Sequence, residues 1–195
     1  MPITIGVLAL QGDFREHIQT LNAIDVQAVE VRRPSELDQI DGLIIPGGES
    51  TAMQKLAQAF ELWVPLRDSL AAGLPVFGTC AGLILLASQI TDGIVGQESL
   101  GALDVTVRRN AFGGQLDSFE TELAVTDIDG PVHAAFIRGP IIERVGPSVE
   151  VLARLHDGRV VAAREGNALG ISFHPEVTGE KRIHRLFADM VLAAR

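Results

Sequence analysis

Cysteine is nearly absent from this chain: Cys80 is the only one in 195 residues. An internal disulfide is excluded, and so is a metal site built from several thiolates. A reducing, cytoplasmic compartment is the natural expectation. Long hydrophobic runs are also missing. None reaches the roughly 20 apolar residues that a bilayer-spanning helix needs, so no membrane association is expected. Positive charge is not in excess. The net charge of −9 disfavours a nucleic-acid partner, because that binding rests on neutralising phosphates. Lysine occurs twice against 14 arginines, a skew best read as compositional bias. The opening MPITIGVLALQGDF has neither a basic flank nor a small-residue cleavage site, and reads as a first strand, not a signal peptide.

What is present is a hydrophobic content of 47%, enough for a sizeable core, and a length that suits one domain over residues 1–195. ITIGVLAL, VQAVEV, GLII and LPVFG read as strands. Between them Phe14, Ile18 and Leu21, then Met53, Leu56, Ala57 and Phe60, recur at helical spacing, with a further helical stretch near 65–72 and an apolar one over 81–89. Alternating strand and helix argue for a parallel sheet covered on both faces. From about residue 100 the texture changes to short alternating strands: LDVTVRR, ETELAVT, VHAAFIR, VEVLARL, RVVAARE and ALGISF. Ile183, Leu186, Phe187, Met190 and Val191 mark a last helix. The reading is one α/β domain, with extra antiparallel strands in its second half.

Cys80 sits in Gly78-Thr79-Cys80-Ala81-Gly82, between a strand and a helical segment. A lone cysteine in apolar sequence is commonly a small buried hydrophobe. G-x-C-x-G at a strand-to-helix turn is instead the nucleophile-elbow pattern, with Cys where many hydrolases carry Ser. The glycines remove steric bulk from a sharp turn, and the following helix points free N–H groups at the sulfur, which favours the reactive thiolate. A thiol nucleophile usually needs a base. His17 and His184, on helical segments among polar residues, read as surface groups. His156 precedes the Asp157-Gly158 turn, and His133 begins a strand. His174 follows the ALGISF strand and opens His174-Pro175-Glu176. In an extended segment Glu176 returns to the same side as His174 and can orient its imidazole. The Pro46-Gly47-Gly48-Glu49-Ser50 turn follows another strand. Its N–H groups, with that of Ala81, can hold a developing oxyanion. On these residues alone the chain is a thiol hydrolase or transferase acting on acyl or amide substrates.

The elements in this order resemble the class I, triad-type glutamine amidotransferases. The resemblance rests on GVLALQGDFREH (6–17), GLIIPGGEST (42–51), FGTCAGLILLA (77–87), RRNAFGGQLDSFE (108–120), FIRGP (136–140) and SFHPE (172–176), and shows no departure at the triad positions. It implies a flavodoxin-like three-layer sandwich around a mostly parallel sheet. It also implies hydrolysis of L-glutamine to L-glutamate and ammonia through a Cys80–His174–Glu176 triad and a γ-glutamyl thioester, with no cofactor or metal. The implied glutamine-binding positions are Gly48, Glu49, Ser50, Arg109, Ile137 and Arg138. Arg109 and Glu49 suit the carboxylate and amine of the substrate. The first, second and fourth segments are similar to one branch, whose members pass ammonia to a separate barrel-shaped synthase subunit in a hetero-oligomer. That subunit joins it with a pentose phosphate and a triose phosphate to form pyridoxal 5′-phosphate. Alternatives are a glutaminase of another biosynthetic pathway, a free-standing γ-glutamyl cysteine hydrolase, or a non-catalytic interaction module on the same fold.

Overall fold

The computed structural model describes residues 2–111 and 118–195. In chain order the first half comprises β1 (Thr4–Leu8), α1 (Phe14–Asn22), β2 (Gln27–Val31), the single turn α2 (Pro34–Leu37), β3 (Gly42–Ile45), α3 (Ser50–Ala59), α4 (Trp63–Ala71), β4 (Val76–Thr79) and α5 (Ala81–Leu86). The second half runs through β5 (Ala87–Thr91), β6 (Leu103–Arg108), β7 (Ser118–Leu123), β8 (Val132–Ile137), β9 (Ile141–Val145), β10 (Glu150–Arg154), β11 (Val160–Glu165) and β12 (Ala168–Ile171). It closes with the turn α6 (Pro175–Thr178) and the helix α7 (Arg182–Ala193).

The main sheet has the order β2-β1-β3-β4-β12-β11-β9-β6-β5, with β10 added on β11, while β7 and β8 form a separate ribbon. The neighbours from β2 to β12 are parallel, and β11 joins β12 antiparallel. β3, β4 and β12 are buried along their whole length, the pattern of strands covered on both faces. Side chains alternate between two cores because a strand has period two. Leu43, Ile45 and Val76 pack with Met53 and Ala57 of α3, Leu66 of α4 and Leu83 of α5. Ile44 and Phe77 point the other way, to Leu21 of α1 and Ile183, Phe187 and Val191 of α7. Two helical layers therefore enclose the sheet, as the sequence leads one to expect.

Two strands of the main sheet differ from the sequence reading. The apolar stretch 81–89 is not one helix: α5 stops at Leu86, and Ala87–Thr91 pairs with β6. Ile90 and Thr91 are β-branched and favour the pleated surface that β6 offers. β9 was not expected as a strand. It is held by pairing with β6 on one side and β11 on the other, a long-range effect no local pattern records.

Candidate active site

Because β1, β3, β4 and β12 are parallel, their carboxyl ends open on one edge, where open α/β sheets place their sites. Each end delivers one component. β4 runs into Cys80, which adopts φ 50° and ψ −101°. A non-glycine residue in that region costs on the order of 1–3 kcal/mol and persists only where its surroundings impose it. Those surroundings are tight. A Cβ at Gly78 would lie 2.6 Å from the backbone of Gly82, and one at Gly82 would strike the carbonyl of Ile45. The two glycines thus serve close backbone approach, and the strained conformation falls on the cysteine itself. The Cys80 N–H donates to the Ile171 carbonyl at 2.9 Å, tying the elbow to β12. The residue is 7% exposed.

β12 leads into His174 and Glu176, both buried. The His174 N–H of the backbone donates to Ala135 of β8 at 2.9 Å, and its Nδ1 lies 2.7 Å from Glu176 Oε1. The segment is not extended as the sequence suggested. Pro175 starts the helical turn α6, and Glu176 reaches His174 by folding back within it. The side chain arrives at the same partner by another backbone route. Burial of the imidazole opposes its charging. Hydrogen bonding and charge interaction with Cys80 and Glu176 outweigh that and raise its pKa to about 10. The ring therefore favours its imidazolium form, beside the Cys80 sulfur. Asp13 Oδ2 is 3.7 Å from the same Nδ1. Among the described residues Asp13, His174 and Glu176 are the one group with ligand atoms close enough for a metal ion, within 4.8 Å of one another. The short His174–Glu176 contact is that of an N–H donated to a carboxylate, and it leaves the group arranged as an oriented imidazole.

The glycine turn after β3 packs on this pair. A Cβ at Gly47 would run into the His174 ring. Gly48 has φ +148°, and a Cβ there would lie 2.5 Å from Gln11 Oε1. The Gly47 carbonyl accepts from Asp13 N–H at 3.1 Å, and Gln11 Oε1 accepts from Glu49 N–H at 2.8 Å. The turns after β1 and β3 are thus bonded to each other. Glu49 caps α3, accepting from the N–H groups of Thr51 and Ala52, and these bonds with the Arg109 charge overcome its partial burial and lower its pKa. Arg109 donates to Glu49 Oε1 at 3.1 Å and to Gln97 Oε1 at 2.6 Å, and Gln97 in turn donates to Ser50 Oγ at 2.9 Å. The structure brings Glu49, Ser50 and Arg109 together as one network. Ile137 and Arg138 lie two and three residues past Ala135, with Arg138 at φ 47° and both exposed. Residues 112–117, within the RNAFGGQLDSFE segment, lie outside the described residues.

Sequence reasoning missed Gln97, which carries no motif, and Asp13. It also misplaced two histidines. His17 and His184, expected at the surface, are both fully buried. The signal was there: His17 falls three residues after Phe14 and four before Leu21, and His184 three before Phe187, each on its helix's apolar stripe.

An open α/β sandwich with a cysteine elbow and a carboxylate-oriented histidine is the architecture of a thiol-dependent amidotransferase. The chain belongs to the SNO glutamine amidotransferase family, whose model matches residues 7–193. It is 57% identical to a protein of Nocardioides sp. named pyridoxal 5′-phosphate synthase subunit PdxT, with 98% of each chain covered. A protein of the same name from Leifsonia xyli is 60% identical over 94% of this chain and 93% of its own. A solved structure described as a glutamine amidotransferase superposes with a TM-score of 0.89 at 47% identity, covering 96% of this chain and 98% of the other.

Proposed function

We propose that residues 1–195 form one glutaminase unit, the cytoplasmic ammonia-supplying subunit of a pyridoxal 5′-phosphate synthase. The observation that carries this reading is the strained, buried Cys80 beside a His174 whose Nδ1 is held by Glu176 at 2.7 Å. Cys80 is the nucleophile. Its thiolate attacks the side-chain amide carbon of L-glutamine, and the negative charge moves to the amide oxygen. The N–H groups of Gly48 and Ala81 receive that oxyanion. The His174 imidazolium gives its proton to the leaving nitrogen, and ammonia departs as the γ-glutamyl thioester forms. His174, now neutral, takes a proton from water. The hydroxide attacks the thioester, L-glutamate leaves, and the thiolate is restored. Glu176 keeps the imidazole in the orientation both steps need.

Arg109 and Glu49 suit the α-carboxylate and α-amine of glutamine, with Ser50, Ile137 and Arg138 completing the pocket. In the free chain Arg109 and Glu49 are paired, so substrate binding exchanges their mutual contact for contacts to the zwitterion. The barrel-shaped synthase subunit is the proposed partner. Its docking bears on the turn at Gln11–Asp13, because that turn is bonded to Gly47 and Glu49 and a shift there re-aims the Gly47–Gly48 peptide. A groove of about 420 Å³ that includes Leu10, Phe14 and the exposed Phe60 adjoins this turn and supports the placement. The test is glutamate production at fixed chain concentration while the synthase subunit is titrated in. A rise in kcat of about 10²–10³, the worth of one oxyanion donor, is expected. A flat response with complex formation confirmed would reject the re-aiming of the Gly47–Gly48 peptide by docking, and full hydrolysis by Cys80→Ala would reject the glutaminase reading.

A further inference from the structure

The Glu176 side chain is fully buried, yet only one of its oxygens is served. Oε1 accepts from His174, while Oε2 is buried with no hydrogen-bond partner among the described residues. A buried carboxylate oxygen left without a donor is costly, and such an atom in a native site asks for an explanation. The neighbouring donor is His17. Its Nε2 lies 3.7 Å from Glu176 Oε2 and 3.2 Å from the hydroxyl of Thr79, the residue before Cys80. Its Nδ1 lies 2.8 Å from His184 Nε2. α1, α6, α7 and the end of β4 thus converge on a polar group whose two imidazoles meet Phe77 edge-on, with Phe187 packed on the Phe77 ring.

Both rings are held neutral. Burial pushes His17 well below its ordinary pKa, and the charges of His184 and His174 push the same way. Burial takes His184 down to about 4 against the pull of the Glu180 backbone and carboxylate. Each ring therefore carries one proton, and only two arrangements of the chain exist. In one, His17 Nδ1–H donates to His184 and the bare His17 Nε2 faces a carboxylate oxygen. In the other, His184 Nε2–H donates to His17 Nδ1, and His17 Nε2–H donates to Thr79 Oγ1 with Glu176 Oε2 also near, at 3.7 Å. Two acceptors compete: the Glu180 backbone carbonyl draws a proton to His184 Nδ1, as in the first arrangement, and the Glu176 carboxylate draws one to His17 Nε2, as in the second. His184 Nδ1 has no hydrogen-bond partner among the described residues, and a carboxylate is the stronger acceptor, so the second is favoured.

We propose that His17 is a positioning residue of the site: its Nε2–H, at 3.7 Å from the second oxygen of Glu176, stabilises that oxygen by charge–dipole attraction, and His184 sets the tautomer that makes this donor available. This rests on the glutaminase reading above. His17 touches no reacting atom. It acts by keeping Glu176 turned toward His174, and through Thr79 it braces the backbone that strains Cys80.

The experiment is steady-state glutamine hydrolysis across pH by the full chain with saturating synthase subunit, comparing His17→Leu, His17→Gln and Cys80→Ala. His17→Leu removes the donor. His17→Gln places an amide N–H near the position of Nε2. His17→Leu should lower kcat by about 10–100-fold with KM for glutamine nearly unchanged, the scale seen when a group that orients a catalytic ligand is lost. His17→Gln should recover most of that loss. The alkaline limb of kcat/KM should move to lower pH in His17→Leu and return in His17→Gln, because His174 loses the carboxylate that sustains its charge. Facing His174 are Cys80, Glu176 and Asp13; facing His17 are Glu176, His174 and His184, and Glu180 faces His184. A wild-type kcat and alkaline limb in His17→Leu would overturn the proposal. So would equal losses in both His17 variants with the limb unmoved. Imidazole ¹⁵N NMR of the wild-type chain reads the tautomer without any substitution: a protonated Nε2 on His17 is expected, and a protonated Nδ1 would overturn it. Cys80→Ala separates the two readings, since full activity there sinks the glutaminase assignment whatever His17 does.

Discussion

Replacing His184 with phenylalanine should make the protein less sensitive to acid. The ring of His184 sits edge-on to Phe77 at 5.8 Å and is fully buried, so Phe keeps the shape and removes the titration. Burial lowers the His184 pKa from 6.5 to about 4. Well above pH 6.5 neither the folded nor the unfolded chain holds a proton there, and the site adds no pH dependence. As pH falls below 6.5 the unfolded chain takes up a proton that the native ring refuses. Stability is then lost progressively until pH passes the folded value near 4. A shift of roughly 2.5 units corresponds to about 3 kcal/mol in full, of which about 2 kcal/mol is spent between pH 7 and 4.5. His17 contributes in the same direction. The assay is urea denaturation of wild type and His184→Phe at the two pH values. The variant starts lower at pH 7, because His17 Nδ1 loses its partner, but its drop on acidification should be smaller by about 2 kcal/mol. Carboxylates that titrate in this range do so in both proteins and cancel in the comparison. Equal drops would refute the claim that the native site excludes the proton.

Cys80→Ala should fold and lose nearly all glutamate production, measured by coupled assay, and Cys80→Ser should be almost as poor because a hydroxyl ionises far less readily than a thiol. Cys80→Gly should be more stable than Cys80→Ala by about 1 kcal/mol in denaturant titration, since the φ of 50° strains any side chain; the usual Ala-over-Gly order would refute the strain. His174→Asn should remove most turnover while Glu176→Gln leaves more, with losses reaching roughly 10⁴ in kcat. Gly82→Ala should destabilise by about 3 kcal/mol or fail to fold, read as a drop in Tm, because its Cβ would strike the Ile45 carbonyl.

The sequence by itself determined the class of fold and pointed to the groups proposed to react. Strand–helix alternation through Thr79 is a local signal, repeated along the chain, and it predicts the parallel sheet whose carboxyl ends carry the site. Cys80 between Gly78 and Gly82, and His174 before Pro175, are likewise local patterns whose chemistry follows from residue type and spacing. Only the tertiary structure decided what those groups touch. α5 yields to β5 at Ala87 because a distant strand, β6, is there to pair with. Glu176 reaches His174 through a helical turn and not an extended segment, a difference invisible in three letters of sequence. His17 and His184 stand 167 residues apart and become a buried pair 2.8 Å from each other only when α1 and α7 close on the same face of the sheet. Polarity placed them on the surface in a linear reading. A polar side chain is buried when partners from elsewhere satisfy it, and the presence of those partners is a property of the folded chain alone.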